Sequence, residues 1–286
     1  MRRSGAETGT SVSPGGGART PSSPVAESPV PAPAPWRSLA WLAGRECLRV
    51  SRLWTQTMLA PVVSSVLFIL VFGLSLSGRI SGIAGVPYDV FIVGGLAAMA
   101  MAQAAYSNNS SSIFQARSDR YIHDVLSAPM HPWQMNLGLS VGGAYRALVI
   151  GAAVMAIAIP LTGASVERPL ALIAAALLLV VGFGALGTVI GIYAETFDHH
   201  TFVNNIVILP LTFVGGVFYS IDSLPTPWEQ ISHLNPIFYM VNSVRYGFLG
   251  ASDVSVVLSF AVTIAFALVT VAWSQHLFAT GKRLKA

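Results

Sequence analysis

LALIAAALLLVVGFGALGTVIGIY, residues 170–193, runs for 24 residues without a charged side chain, and its reading decides the fold. A helix rises about 1.5 Å per residue, so roughly 20 apolar residues cross the ~30 Å hydrocarbon of a bilayer. Five further stretches satisfy the same criterion, at about residues 58–76, 88–106, 137–162, 202–218 and 254–278. The whole chain repeats the signal: 53% of its 286 residues are hydrophobic, 10% are charged, and mean hydropathy is +0.65. An ordinary soluble domain carries roughly 25% charged residues. The expected fold class is therefore an all-α integral membrane protein with six transmembrane helices.

Outside the spans the chain is uneven. Residues 1–35 form a Pro/Gly/Ser/Ala tract that buries too little apolar surface to offset its ordering entropy, so a disordered cytosolic tail is expected there, followed by one membrane domain over residues 36–286. Between Trp36 and Thr57, Leu39, Ala43, Cys47, Val50 and Trp54 recur at three- or four-residue steps, with Arg45, Arg49 and Arg52 on the opposite face. That pattern predicts an amphipathic helix lying in the membrane interface, its arginines meeting anionic lipid. The formal charge of +4 does not indicate nucleic-acid binding, because the basic residues sit beside apolar spans as cytosolic anchors do. With the N-terminus inside, 12 lysines and arginines fall on the inner side and Arg79, Arg168 and Arg245 on the outer, while Arg146 lies within the third span. Both termini are expected in the cytosol of a multi-pass plasma-membrane protein. Arg146 can snorkel to the inner headgroups or meet a substrate.

Three polar segments could carry chemistry. SSSIFQARSDRYIHDVLSAPMHPW, residues 110–133, predicts an amphipathic cytosolic helix from Phe114 to Leu126, with Phe114, Tyr121 and Val125 on one stripe and Arg117, Arg120, His123 and Asp124 around it. Arg120 and Asp124 can pair at i,i+4, and the helix should end before Pro129. AETFDHHTF, residues 194–202, brings Glu195 and His199 within one helical turn, but adjacent histidines diverge and no fourth ligand is evident, so a polar turn facing a partner is expected rather than a metal site. GGVFYSIDSLPTPWEQISHLNPIFYMVNSVRYGFLGASD, residues 215–253, is too polar for a full span from Trp228 to Leu249. A re-entrant external hairpin fits it, with Asn235 and Pro236 starting the second short helix and Arg245 near the outer headgroups. The pairs Gly138/Gly142 and Gly187/Gly191 form GxxxG motifs that mark close helix contacts.

The run LPLTFVGGVFYSIDSLP…HLNPIFYMVNSVRYGFLG, with Gly215, Gly216, Asn235, Pro236, Tyr239 and Arg245 in register, resembles the C-terminal signature of the ABC-2 type transporter permeases. FQARSDRYIHDVLSAPMHPWQ resembles that family's first cytosolic helix, and the six-span topology also agrees. The tail is longer and more Pro-rich than the family usually shows, and the second loop lacks the Glu-Arg pair common in many members, with Ser118 and Asp119 near that place. The resemblance implies that two permeases, alike or different, pair with two ATP-binding cassette subunits and export lipids, glycans or drugs. It also implies that Phe114, Arg117, Arg120, Tyr121 and Asp124 lie on the coupling helix. The sequence has no GxxxxGK[ST] phosphate loop, so ATP and Mg are expected on the partner and no cofactor in this chain. An intramembrane enzyme would need a HExxH or a serine with a histidine base, and neither is present. An ion-coupled secondary carrier or channel is the alternative, although the spans lack the carboxylates that such a carrier uses.

Overall fold

The computed structural model describes residues 35–73, 75, 82–83, 85–281 and 283–284. The expected tail before Pro35, the end of the first span, Arg79, Lys282 and Lys285 lie outside the described residues. Among the described residues ten helices, besides a 3-10 turn at Ile221–Ser223, follow in order: α1 Pro35–Arg52, α2 Thr55–Gly73, α3 Tyr88–Ser118, α4 Ile122–Ser127, α5 Pro132–Thr162 and α6 Pro169–Tyr193. Next come α7, which passes from Phe197–Val203 through a π turn at Asn204–Ile208 into Leu209–Val214, then α8 Thr226–Leu234, α9 Pro236–Leu249 and α10 Val256–Thr280. No strand occurs among the described residues, where Ile83 and Val86 form an isolated bridge.

Proline and glycine set these boundaries. Proline at the first turn opens α5, α6, α8 and α9, where its missing N–H is lost at no cost. Left-handed glycines close α5, α9 and α10 at Gly163, Gly250 and Gly281. Two prolines lie inside apolar helices beside π turns: Pro61 follows the turn at Thr55–Leu59 in α2, and Pro210 follows the one in α7. A ring that cannot donate unseats the local i→i−4 ladder, and a wider turn accommodates the break.

Helices α2, α3, α5, α6 and α10 are long and apolar enough to cross a membrane. The stretch expected as a fifth span, residues 202–218, is not among them. Asn204 and Asn205 dilute its hydropathy, and its helix stops at Val214, before Gly215 and a left-handed Gly216 with φ of 77°. The second expected span ends at Tyr106 by hydropathy, yet α3 continues to Ser118. The run SNNSSS in its extension is no solvated loop: Asn108, Asn109, Ser110 and Ser112 are buried. Their neighbours satisfy them, as where Asn109 Nδ2 donates to the Gly184 carbonyl of α6 at 3.0 Å. The single helix expected over Phe114–Leu126 is broken. Arg120 adopts φ of 61°, α4 starts afresh at Ile122, and Arg120 and Asp124 stay exposed without the expected ion pair. The left-handed residue turns the chain, so positions four apart no longer share a face.

Helix α3 is the axis of the bundle. It packs on α5, α6 and α9; α6 also meets α9 and α10, and α1 lies along α5. Both GxxxG motifs make close approaches. Gly138 and Gly142 of α5 receive Leu42 and Glu46 of α1, and Gly187 and Gly191 of α6 abut the α3 backbone at Tyr106 and Ser110. The outer surfaces are apolar, as on α6, where Leu170, Ile173, Leu177 and Val181 form an exposed stripe at helical spacing. Facing hydrocarbon, such a stripe needs no protein cover.

A Cβ at Gly187 would collide with the Tyr106 backbone, whereas one at Gly44 in α1 would meet nothing within 4 Å. Gly187→Leu should therefore destabilise the protein by about 1–3 kcal/mol through forced separation of α3 and α6. Gly44→Ala should stabilise it by roughly 0.5–1 kcal/mol through helix propensity. Thermal unfolding in detergent checks both, and a wild-type melting temperature for Gly187→Leu would contradict the close approach.

Candidate functional site

Polar side chains gather at the two ends of the bundle. At the end holding α8 and α9, Arg245 is buried at 1% exposure and pairs with Asp253 at 3.1 Å. Its second terminal nitrogen donates to the Gly216 carbonyl, and the guanidinium lies 4.0 Å from the centre of the Phe91 ring. The side chain expected near the outer headgroups is thus enclosed by protein. Asp253, on the connection from α9 to α10, neutralises the charge, and Gly94 of α3 lets the Arg245 backbone come close. Asn242 fixes Asp253 in turn: its amide donates to Ser252 and Ser259 at 2.9 and 3.0 Å, and its oxygen accepts the Asp253 N–H at 3.1 Å.

The corner between α8 and α9 closes the end of α7. The Asn235 side-chain oxygen caps α9 by accepting from Ile237 N at 3.0 Å, while its amide donates to the Leu211 carbonyl. Ser232 donates to the Val214 carbonyl at 3.1 Å, and the Tyr239 hydroxyl donates to the His233 carbonyl at 2.9 Å. The last carbonyls of a helix lack intrahelical partners, and the corner supplies two for α7. Pro236 is the first residue of α9, and Gly215 follows α7 as its C-cap.

At the opposite end Glu46 is the centre. It is 1% exposed and holds Arg45 and Arg49 at 3.0 Å each and the Ser112 hydroxyl of α3 at 3.2 Å. Arg45 also lies 5.2 Å from the centre of the Tyr121 ring, joining α1, α3 and the start of α4. Burial first, and then the Glu46 charge, push the Tyr121 phenol above its ordinary pKa. The arginine face expected to meet lipid is thus divided: Arg45 and Arg49 turn onto Glu46, and Arg52 is exposed. The buried stripe of α1 is Leu42, Glu46 and Val50, with Ala43 and Cys47 at its flank.

Of the residues expected on the coupling helix, three hold the bundle and two face outward. Phe114 contacts Phe197 and His200 of α7 at ring distances of 6.1 and 6.5 Å. Arg117 donates to the Gly191 and Ala194 carbonyls at 3.2 and 3.0 Å, closing α6 with a cation at its negative dipole end. Tyr121 faces Arg45. Arg120 and Asp124 are exposed, above Ile122 and Val125, which are buried beneath α4. In the polar turn before α7, His199 accepts the Glu195 N–H at 3.2 Å, and His200 is buried beside Phe197.

Sequence reasoning missed Glu46, Asp253, Asn242 and Asn109. Glu46 could have been found, since it sits next to Arg45 and one turn from Arg49; Asp253 lies across a helix end from Arg245, where periodicity is silent. Removing one partner of a buried ion pair typically costs 3–5 kcal/mol, because the other is left charged and alone. Asp253→Ala should therefore lower stability by about that amount, and adding Arg245→Met should recover part of the loss. A double-mutant cycle on thermal stability checks this, and strictly additive losses would refute the coupling.

The sequence matches the ABC-2 type transporter family over residues 37–249. It is 38% identical over 241 residues to the inner membrane transport permease YadH of Escherichia coli (strain K12), covering 84% of this chain and 94% of that protein. It is 25% identical over 223 residues to nodulation protein J of Sinorhizobium fredii (strain NBRC 101917 / NGR234), covering 75% of this chain and 84% of the relative. Nodulation protein J of Rhizobium leguminosarum bv. viciae is 24% identical over 241 residues, 82% of this chain and 92% of the relative. Both ends of the bundle, from Arg45 on α1 to the Asn235–Arg245 hairpin, fall inside the matched region. The chain belongs to the ABC-2 type transporter family and is a multi-pass membrane permease, the transmembrane subunit of an ABC transporter.

Proposed function

We propose that this permease is the membrane half of an ATP-driven exporter in the plasma membrane, carrying a lipid, glycan or drug-like substrate, with both termini in the cytosol. Permeases of the family work with a separate ATP-binding subunit, generally as dimers. ATP and Mg bind on that subunit, and it docks at the end formed by α1 and α4. The observation that carries the reading is the tie among Arg45, Glu46, Ser112 and Tyr121. A force on the exposed Arg120–Asp124 turn then moves α4, α1 and the axial α3 together, and the bundle rocks against a second permease as a rigid body.

Charge placement supports the orientation. Arg37, Arg45, Arg49, Arg52, Arg117 and Arg120 all belong to the α1–α4 end, while Arg168 and Arg245 belong to the other, the asymmetry of a cytosolic face. The sixth crossing is α7. It runs from the Phe114 contact at one end to the hairpin at the other, and its 18 residues cover about 27 Å at the α-helical rise. Helices α8 and α9 re-enter from the outer side. Their corner reaches one turn into the bundle at Leu211, and Gly247 near the end of α9 returns to the backbone of Leu172, near the start of α6. An ion-coupled carrier would need a carboxylate free to take its ion, whereas buried Glu46 and Asp253 both hold arginines.

A tagged chain purified in mild detergent should bring down a P-loop subunit with vanadate-sensitive ATPase; recovery of the permease alone, without ATPase, would overturn the exporter reading. In that complex, Arg120→Glu with Asp124→Lys should lower ATPase several-fold while membrane insertion is unchanged. Full activity in the double variant would remove the α4 turn from the coupling path.

A further inference from the structure

A cavity of about 430 Å³ opens between α2, α3, α5 and α7. It is lined by the apolar Phe68, Leu96 and Met99 and by the polar Gln56, Gln103, Arg146 and Asn204. Pro61 has no N–H to give to the Thr57 carbonyl four residues earlier, and Arg146 Nε donates to that carbonyl at 2.8 Å. The bond anchors the guanidinium by one edge and turns it into the cavity instead of out along the bundle. Among the described residues Arg146 makes no other hydrogen bond and pairs with no carboxylate. Beside it, the buried Gln103 Nε2 and Asn204 Oδ1 have no partner. Gln56 and Asn204 both lie on π turns, which recur at functional sites.

An uncompensated guanidinium at membrane depth is costly unless an anion or water meets it. The free edge of Arg146 offers a planar fork that suits two oxygens of a tetrahedral oxyanion, and the idle Gln103 amide adds a third donor. Asn204 Oδ1 can take a hydroxyl on the same head, while Phe68, Leu96 and Met99 suit an apolar chain. We propose that this cavity binds a phosphate-type oxyanion, carried as the head of an apolar-tailed molecule. That the bound molecule is export cargo rests on the exporter reading; its binding does not.

The test uses the full chain in dodecyl maltoside, with binding followed by microscale thermophoresis. The probes are dihexanoyl phosphatidic acid, dihexanoylglycerol lacking the phosphate, and inorganic phosphate. Phosphatidic acid should bind more tightly than the glycerol lipid. Arg146→Gln should weaken phosphatidic acid by about tenfold or more, the loss of a charge-assisted pair, and leave the glycerol lipid unchanged. Gln103→Leu removes a partnerless amide and leaves the Arg146–Thr57 bond in place, so it should weaken phosphatidic acid by a smaller factor, about threefold. Should Arg146→Gln lose its monodisperse profile, Gln103→Leu decides. Weak competition by inorganic phosphate supports the lipid head, and competition by inorganic phosphate at equal concentration overturns the apolar-tailed part of the proposal. Equal binding of the two lipids, or wild-type affinity in both variants, overturns it. Absence of an ATP-binding partner would sink the exporter reading and leave this result standing.

Discussion

Hydrocarbon offers no hydrogen bonds, so every backbone carbonyl freed inside the membrane domain must find a donor within the protein. Helix ends and internal prolines free such carbonyls, and the donors that answer them come from other helices. Arg146 of α5 takes Thr57 of α2, and Arg117 of α3 takes Gly191 and Ala194 at the end of α6. The α8–α9 corner takes Leu211 and Val214 of α7, and Arg245 takes Gly216. Each bond thus satisfies a polar group and joins two elements. Between apolar helices in lipid there is little hydrophobic drive to associate, and these ties, together with the glycine contacts, specify which helices meet.

The two buried carboxylates add a second level. Glu46 and Asp253 lie at opposite ends of the bundle: Arg45 and Arg49 meet the buried Glu46 charge, and Asp253 neutralises the buried Arg245. A buried ion pair is a weak source of net stability, because desolvation offsets most of the attraction. Its consequence is geometric: one cluster locks α1 and α4 to Ser112, and the other locks α9 and the last loop against Phe91. Both anchor on α3, and the 22 residues from Phe91 to Ser112 extend about 30 Å. A single helix therefore joins the end proposed to take the push to the end proposed to close the outer face.

The spans of α2, α3, α5, α6 and α10 were legible because long uncharged runs have few alternatives. Polarity inside the bundle was not. Hydropathy scores Asn109 and Ser112 as solvent-seeking, yet they are buried where α6 and Glu46 satisfy them, and the expected span therefore ended at Tyr106. The α1 stripe failed for the same reason: Glu46 faces inward because two arginines and a serine meet its charge, which no periodicity of apolar residues displays. Arg245 was expected near the headgroups, and its partner, eight positions on and past a helix end, leaves no periodic signal. The break at Arg120 has neither proline nor glycine to mark it, and its left-handed turn has no local sequence signal.

Unpartnered polar atoms divide in a way that bears on transport. Arg49 Nη2, Asn136 Oδ1, His200 Nδ1 and Arg245 Nε are scattered singly through the bundle, and isolated groups of this kind carry no directional message. Gln103 Nε2 and Asn204 Oδ1 instead share one cavity with the open edge of Arg146. Pro61 and Pro210 lie in two of the helices flanking it and stand beside the π turns that carry Gln56 and Asn204. A helix that must only span lipid has no use for such breaks, since each costs a backbone hydrogen bond. A helix that must offer polar groups to a molecule moving through hydrocarbon does, and α2 and α7 have them where α6 and α10 do not.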